Sequence, residues 1–111
     1  MNKAIGKFSP VTEAVFYILL ALTEPLHGYG VIKKVETISN NRITIAAGTL
    51  YGAFKSLEKN GLIEFTGIDP NNSRRKLYKV TNLGYDLINF EVDRISHMAN
   101  EGIKELEGFD V

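Results

Sequence analysis

The chain has 111 residues, 44% of them apolar and 23% charged, enough for one domain with one modest core and not for a second independent domain. It has no cysteine, which excludes disulfides and thiolate chemistry and fits a reducing cytoplasm, and its longest apolar run, 14–22, is far below the ~20 residues of a membrane span. Net charge is zero, yet residues 26–80 hold nine Lys/Arg against four acids and residues 81–111 hold two against seven, so one end of the chain can attract a polyanion that the other repels.

MNKAIGKFSP has no h-region or cleavage site, so export is not expected. Ser9-Pro10 is the expected start of the first helix, Ser as the cap and Pro at the first helical position. VTEAVFYILLAL, 11–22, is apolar on nearly every side, so part of this helix is expected to meet another subunit. Glu24-Pro25 ends it. Leu26-His27-Gly28 leads into a second helix with Val31, Ile32, Val35 and Ile38 at helical spacing, closed by Ser39-Asn40-Asn41.

A third helix begins near Ala46. Leu50, Ala53, Phe54 and Leu57 form its buried stripe, which leaves Thr49, Tyr51, Gly52, Lys55, Ser56 and Lys59 on the other face. That face is rich in hydrogen-bond donors and nearly free of carboxylates, as contact with phosphates and base edges requires. Gly48 and Gly52 weaken a helix interior by about 1 kcal/mol each relative to Ala, which suits a backbone that must come close to a partner. Asn60-Gly61 stops the helix.

Leu62–Thr66 and Arg74–Val80 read as two strands joined by a polar, basic turn, a wing after a three-helix unit. Thr81 or Asn82 caps a long last helix. On it Leu83, Leu87 and Phe90 form a stripe toward the domain, while Ile88, Val92, Ile95, Ala99, Ile103 and Leu106 approach a heptad seam that calls for a partner helix.

Three blocks, Leu26-His27-Gly28-Tyr29-Gly30-Val31, the run from Gly48-Thr49-Leu50-Tyr51 to Gly61-Leu62-Ile63, and Arg74-Arg75-Lys76-Leu77-Tyr78-Lys79-Val80-Thr81-Asn82-Leu83-Gly84, resemble in order and spacing the PadR family of bacterial transcriptional regulators. The resemblance covers roughly residues 10–106. It implies a mainly α, α+β fold: a winged helix-turn-helix DNA-binding domain over 1–81 and a C-terminal dimerisation helix over 82–111 packed on the same domain. It further implies a homodimeric repressor on a palindromic double-stranded operator, released in some members by a small aromatic or drug-like effector. No Trp is present to stack on a planar drug at the dimer centre.

Carried over by residue, the DNA-binding candidates are Tyr29, Lys33, Gly48, Thr49, Tyr51, Gly52, Lys55, Ser56, Asn72, Arg74, Arg75 and Lys76. Tyr51 is assigned a phosphate, Lys55 and Ser56 the bases, Tyr29 and Lys33 the backbone, and the wing tip phosphate or minor-groove contacts. Candidates for a ligand pocket or dimer interface are Phe8, Val15, Phe16, Tyr17, Leu19, Ile88, Val92, Ile95, Met98, Ala99, Ile103 and Leu106. Tyr78 reads as core, and His27 as a helix-entry or packing residue. His27 and His97 lack metal-site spacing, and no nucleotide-binding glycine pattern occurs, so neither metal, cofactor nor enzymatic activity is expected. The competing reading is a winged-helix protein-interaction module that does not touch DNA.

Overall fold

Local signals in the sequence set most of the element ends. The computed structural model describes residues 3–109; residues 1–2 and 110–111 lie outside it, and with them the outer ends of the segments expected at 1–81 and 82–111 and the start of MNKAIGKFSP. The elements are α1 (Lys3–Gly6), α2 (Glu13–Ala21), α3 (Gly28–Ile38), α4 (Ala47–Lys59), β1 (Ile63–Ile68), β2 (Lys76–Val80) and α5 (Asn82–Leu106).

α3 ends where Asn40 and Asn41 take φ of 56° and 63°, a left-handed conformation that asparagine tolerates better than most side chains. α4 ends at Lys59 with Asn60 as its cap, and Gly61 at φ 73° turns the chain so that the Leu62 amide donates back to the Leu57 carbonyl at 2.9 Å. The Thr81 hydroxyl caps α5, accepting from the Gly84 amide at 3.1 Å and donating to the Gly61 carbonyl at 2.6 Å. One threonine thus ties the start of α5 to the end of α4.

The core lies where α2, α3 and α4 meet the hairpin. Ile18, Leu19 and Leu22 pack with Val31 and Val35 of α3 and with Leu50, Phe54 and Leu57 of α4; Ile63, Val80 and Leu87 join them from the hairpin and α5. The expected stripe of α4 is therefore the buried one. The hairpin is antiparallel, with Ile63 opposite Val80 and Phe65 opposite Tyr78, and its register shifts between Phe65 and Gly67. Leu26 pairs with the other edge of β2: its amide donates to the Tyr78 carbonyl at 3.0 Å and the Tyr78 amide donates back at 2.9 Å. The wing is thereby fastened to the entry of α3.

Several expectations are corrected. α2 starts at Glu13 and is capped by Thr12, whose hydroxyl accepts from the Val15 amide at 3.1 Å. Ser9 does not cap it, because its hydroxyl donates to Glu91 at 2.7 Å. The short helix α1 carries no expected signal. β1 runs on to Ile68 and β2 starts only at Lys76, so Arg74 and Arg75 belong to the turn. Leu19 and Ile88, expected at a pocket or dimer interface, are 0% and 7% exposed and belong to the core of the protomer. Leu19 lies with Ile18 and Ala21 on the buried face of α2, and the rotation of α5 turns Gly84, Leu87, Ile88 and Glu91, at i, i+3, i+4 and i+7, toward the domain.

Glu91 is a fully buried carboxylate among these apolar residues. It accepts from the Ser9 hydroxyl at 2.7 Å, the Val11 amide at 2.6 Å and the Arg94 guanidinium at 2.7 and 3.1 Å. The hydrogen bond from Arg94 is the largest of the influences that hold its carboxyl at about 2, against the opposing effect of burial. The N-terminal segment is thus fastened to α5. Beyond Arg94, every described residue of α5 is exposed, including Ile95, Met98, Ile103 and Leu106.

Candidate nucleic-acid interface

The outward face of α4 follows from its buried one. With Leu50, Phe54 and Leu57 inside, helical spacing turns Gly48, Thr49, Tyr51, Gly52, Lys55 and Ser56 to solvent, and all six are exposed. A Cβ placed on Gly48 or Gly52 would meet nothing within 4 Å, so no packing demand inside the protomer accounts for either glycine.

Beside this face the start of α3 and the wing close a cleft of about 350 Å³, lined by His27, Gly28, Tyr29, Tyr51, Arg74, Arg75, Lys76 and Tyr78. Tyr29, Tyr51 and Arg74 to Lys76, drawn from three separate blocks of sequence, meet here. Lys33 lies one turn along α3, with its ammonium 5.5 Å from the centre of the Tyr29 ring. The His27 ring lies nearly parallel to that of Tyr29, at 17° and 6.4 Å. Its Nε2 is buried without a hydrogen-bond partner among the described residues.

The wing tip owes its shape to two side chains that mimic backbone turns. Asp69 accepts from the Asn71 amide at 2.9 Å, and the Asn72 side chain accepts from the Arg74 amide at 3.0 Å. The Arg75 amide donates to the Asn72 carbonyl at 3.0 Å. Asn72 is half-buried and shapes the turn that presents Arg74, Arg75 and Lys76, all exposed. None of these three cations forms an ion pair among the described residues, in contrast to Lys34 with Glu24 and Arg42 with Glu13.

Aromatic rings connect α4 to the wing. Tyr51 meets Phe54 at 6.4 Å, Phe54 meets Tyr78 at 5.1 Å and Tyr78 meets Phe65 at 6.0 Å. Burial, reinforced by the Glu58 charge, pushes the Tyr78 phenol up from its ordinary range. Tyr78 is therefore a half-buried spacer that also forms the floor of the cleft. Sequence reasoning missed that floor; the signal was present in the Gly-Tyr-Gly run 28–30, whose glycines lie beside the Tyr51 and His27 rings.

The twelve residues expected at a pocket or interface do not form one patch. Phe8, Val15 and Tyr17 pack partly against the core. Val92, Ile95, Met98, Ala99, Ile103 and Leu106 are exposed along α5. Between the two groups lies a groove of about 330 Å³ lined by Val11, Thr12, Glu13, Phe16, Tyr17, Arg94 and Ile95. No set of His, Asp and Glu among the described residues could hold a metal ion, and no described helix is long and apolar enough to cross a membrane.

Residues 17–89 match the model of the transcriptional regulator PadR-like family. The chain belongs to that family. PadR-like proteins are regulators of transcription rather than enzymes, and their winged helix-turn-helix is the fold described above. The protein is 35% identical over 66 residues to an uncharacterized protein of Lysinibacillus sphaericus, a match that spans 59% of this chain and 61% of the relative. A PadR family regulator from Eggerthella lenta superposes with a TM-score of 0.60 at 30% identity, covering 86% of this chain and 82% of that one. One from Clostridium difficile, at 22% identity, gives 0.70 and covers 86% and 99%, a likeness of fold.

Proposed function

We propose that this PadR-like protein is a cytoplasmic, homodimeric DNA-binding repressor, with α4 entering the major groove of a palindromic operator and the wing following the adjacent backbone. The observation that carries the reading is the convergence of Tyr29, Tyr51 and three exposed cations, Arg74, Arg75 and Lys76, on one cleft beside the exposed face of α4. Tyr51 donates to a phosphate, Thr49, Lys55 and Ser56 face base edges, and Gly48 and Gly52 let the backbone approach. Tyr29 and Lys33 contact the backbone from α3, and Arg74 and Arg75 reach a phosphate or the minor groove.

Dimerisation rests on the apolar residues of α5 that the protomer leaves uncovered. Val92, Ile95, Met98, Ile103 and Leu106 are 37–62% exposed, and a second copy of the same helix covers them by pairing stripe to stripe. Phe8, Val15, Phe16 and Tyr17 adjoin the base of that contact. The groove lined by Phe16, Tyr17, Arg94 and Ile95 supports a site there for a small aromatic or drug-like effector that releases the repressor.

The test is a titration of duplex binding against salt. About eight phosphates neutralised per dimer give a log–log slope on the order of −7. A flat titration, with Arg74→Ala and Lys55→Ala retaining as much duplex as the unsubstituted chain, would instead support a protein-interaction module.

A further inference from the structure

Tyr51 is both exposed and seated. Its surface is 59% open to solvent, yet the end of its ring lies on the first residue of α3. A Cβ built on Gly28 would stand 2.9 Å from the Tyr51 Oη, 3.1 Å from Cζ and 3.2 Å from Cε1, closer than side chains normally pack. The Tyr51 ring also meets that of Phe54 edge-on, with the centroids 6.4 Å apart. Gly28 is buried under this ring and has helical backbone that any residue can adopt. Its place at the start of α3 makes no conformational demand for glycine, and alanine would favour the helix. The missing side chain serves the space above it.

We infer that Gly28 is a positioning residue for DNA binding: it leaves the seat on which the Tyr51 phenol rests, so that the hydroxyl is held at the mouth of the cleft. An unseated tyrosine on an exposed helix face samples several rotamers and must be ordered when the partner arrives. A seated one is ordered beforehand. The contrast with Gly48 and Gly52, whose added Cβ would meet open space, separates two uses of glycine in one interface. The inference rests on the DNA-binding reading above and adds to it a residue that touches no DNA.

The experiment measures retention of a labelled mixed-sequence duplex at about 50 mM salt, where phosphate contacts dominate, for the unsubstituted chain, Gly28→Ala, Tyr51→Ala and the double variant. Gly28→Ala should fold and melt no earlier than the unsubstituted chain, because the displaced atoms are the far end of a side chain that can swing into solvent. Its duplex binding should nonetheless weaken by about tenfold for each copy, the size of one lost hydrogen bond, and so by up to about a hundredfold for the dimer. In the Tyr51→Ala background the same substitution should change nothing. Proton NMR gives a reading without DNA: the Gly28 Hα resonances should carry a ring-current shift that disappears in Tyr51→Ala.

An earlier melt or an unfolded Gly28→Ala chain, an equal penalty in both backgrounds, or Gly28 Hα resonances indifferent to Tyr51 would each overturn the inference. If Tyr51→Ala weakens binding and Gly28→Ala does not, the seat fails while the DNA-binding reading stands. If the unsubstituted chain retains no duplex, the reading itself fails and the inference with it.

Discussion

Replacing Glu91 by glutamine should loosen the N-terminal segment from α5 without changing the size of the buried group. The carboxylate is held at about 2 in the fold against an ordinary 4.5, a difference that corresponds to roughly 3 kcal/mol at ~1.36 kcal/mol per pKa unit. Arg94, its main partner, keeps 30% of its side chain in water, and screening there leaves about 2 kcal/mol. Because the folded value lies below the unfolded one, this stabilisation is fully present above pH 4.5 and fades as pH falls through about 2. Thermal unfolding followed by circular dichroism, at one protein concentration, should show Glu91→Gln melting roughly 10 °C lower at pH 7. The gap should hold down to about pH 4.5 and have mostly closed near pH 2, since the other carboxylates titrate alike in both chains and cancel in the difference. Equal melting temperatures at pH 7, or a gap unchanged at pH 2, would refute the assignment of Glu91 as a charged clamp.

The double variant Ile103→Glu, Leu106→Glu alters residues that are both 62% exposed in the protomer; it should keep the protomer folded and turn the proposed dimer into a monomer by analytical ultracentrifugation. Gly84→Ala should lower the urea midpoint by the equivalent of about 1–3 kcal/mol, because its Cβ would lie 2.2 Å from the Leu62 carbonyl oxygen, a backbone atom that cannot swing aside. Arg75→Ala should weaken duplex binding evenly across sequences and make the salt slope shallower by about 2 per dimer, one for each copy, in a fluorescence anisotropy titration.

Short-range signals carried much of this fold. The stripe of Leu50, Phe54 and Leu57, the Asn60-Gly61 stop and the Thr81 cap each act within one or two helical turns, where periodicity and backbone preference are decisive. What the sequence hid was long-range. Ser9 has the right chemistry for a helix cap and loses that role to a carboxylate 82 positions away. Ile88 fits a heptad seam as well as it fits the core, and only the rotation of α5 against α2 decides between them. A glutamate in helical register with Gly84, Leu87 and Ile88 was the available clue, yet spacing alone does not separate a buried clamp from a solvated charge. For the candidate interface, the exposed residues of α4 followed directly from the buried ones. The cleft did not, since it requires the wing to fold back until Tyr78 and Arg74 to Lys76 stand opposite Tyr29.

In a homodimer of the proposed kind, the stretch of α5 that stands clear of the domain would also act as a lever. In the proposed dimer, two such rods crossing each other would set how far apart the paired α4 helices lie, since the protomer cores need not touch. A change in that crossing would swing each α4 along the duplex, whose groove repeat of ~34 Å fixes the spacing the pair must match. A small wedge at the fulcrum, beside Phe16 and Ile95, would therefore be enough to bring the pair into or out of phase with DNA.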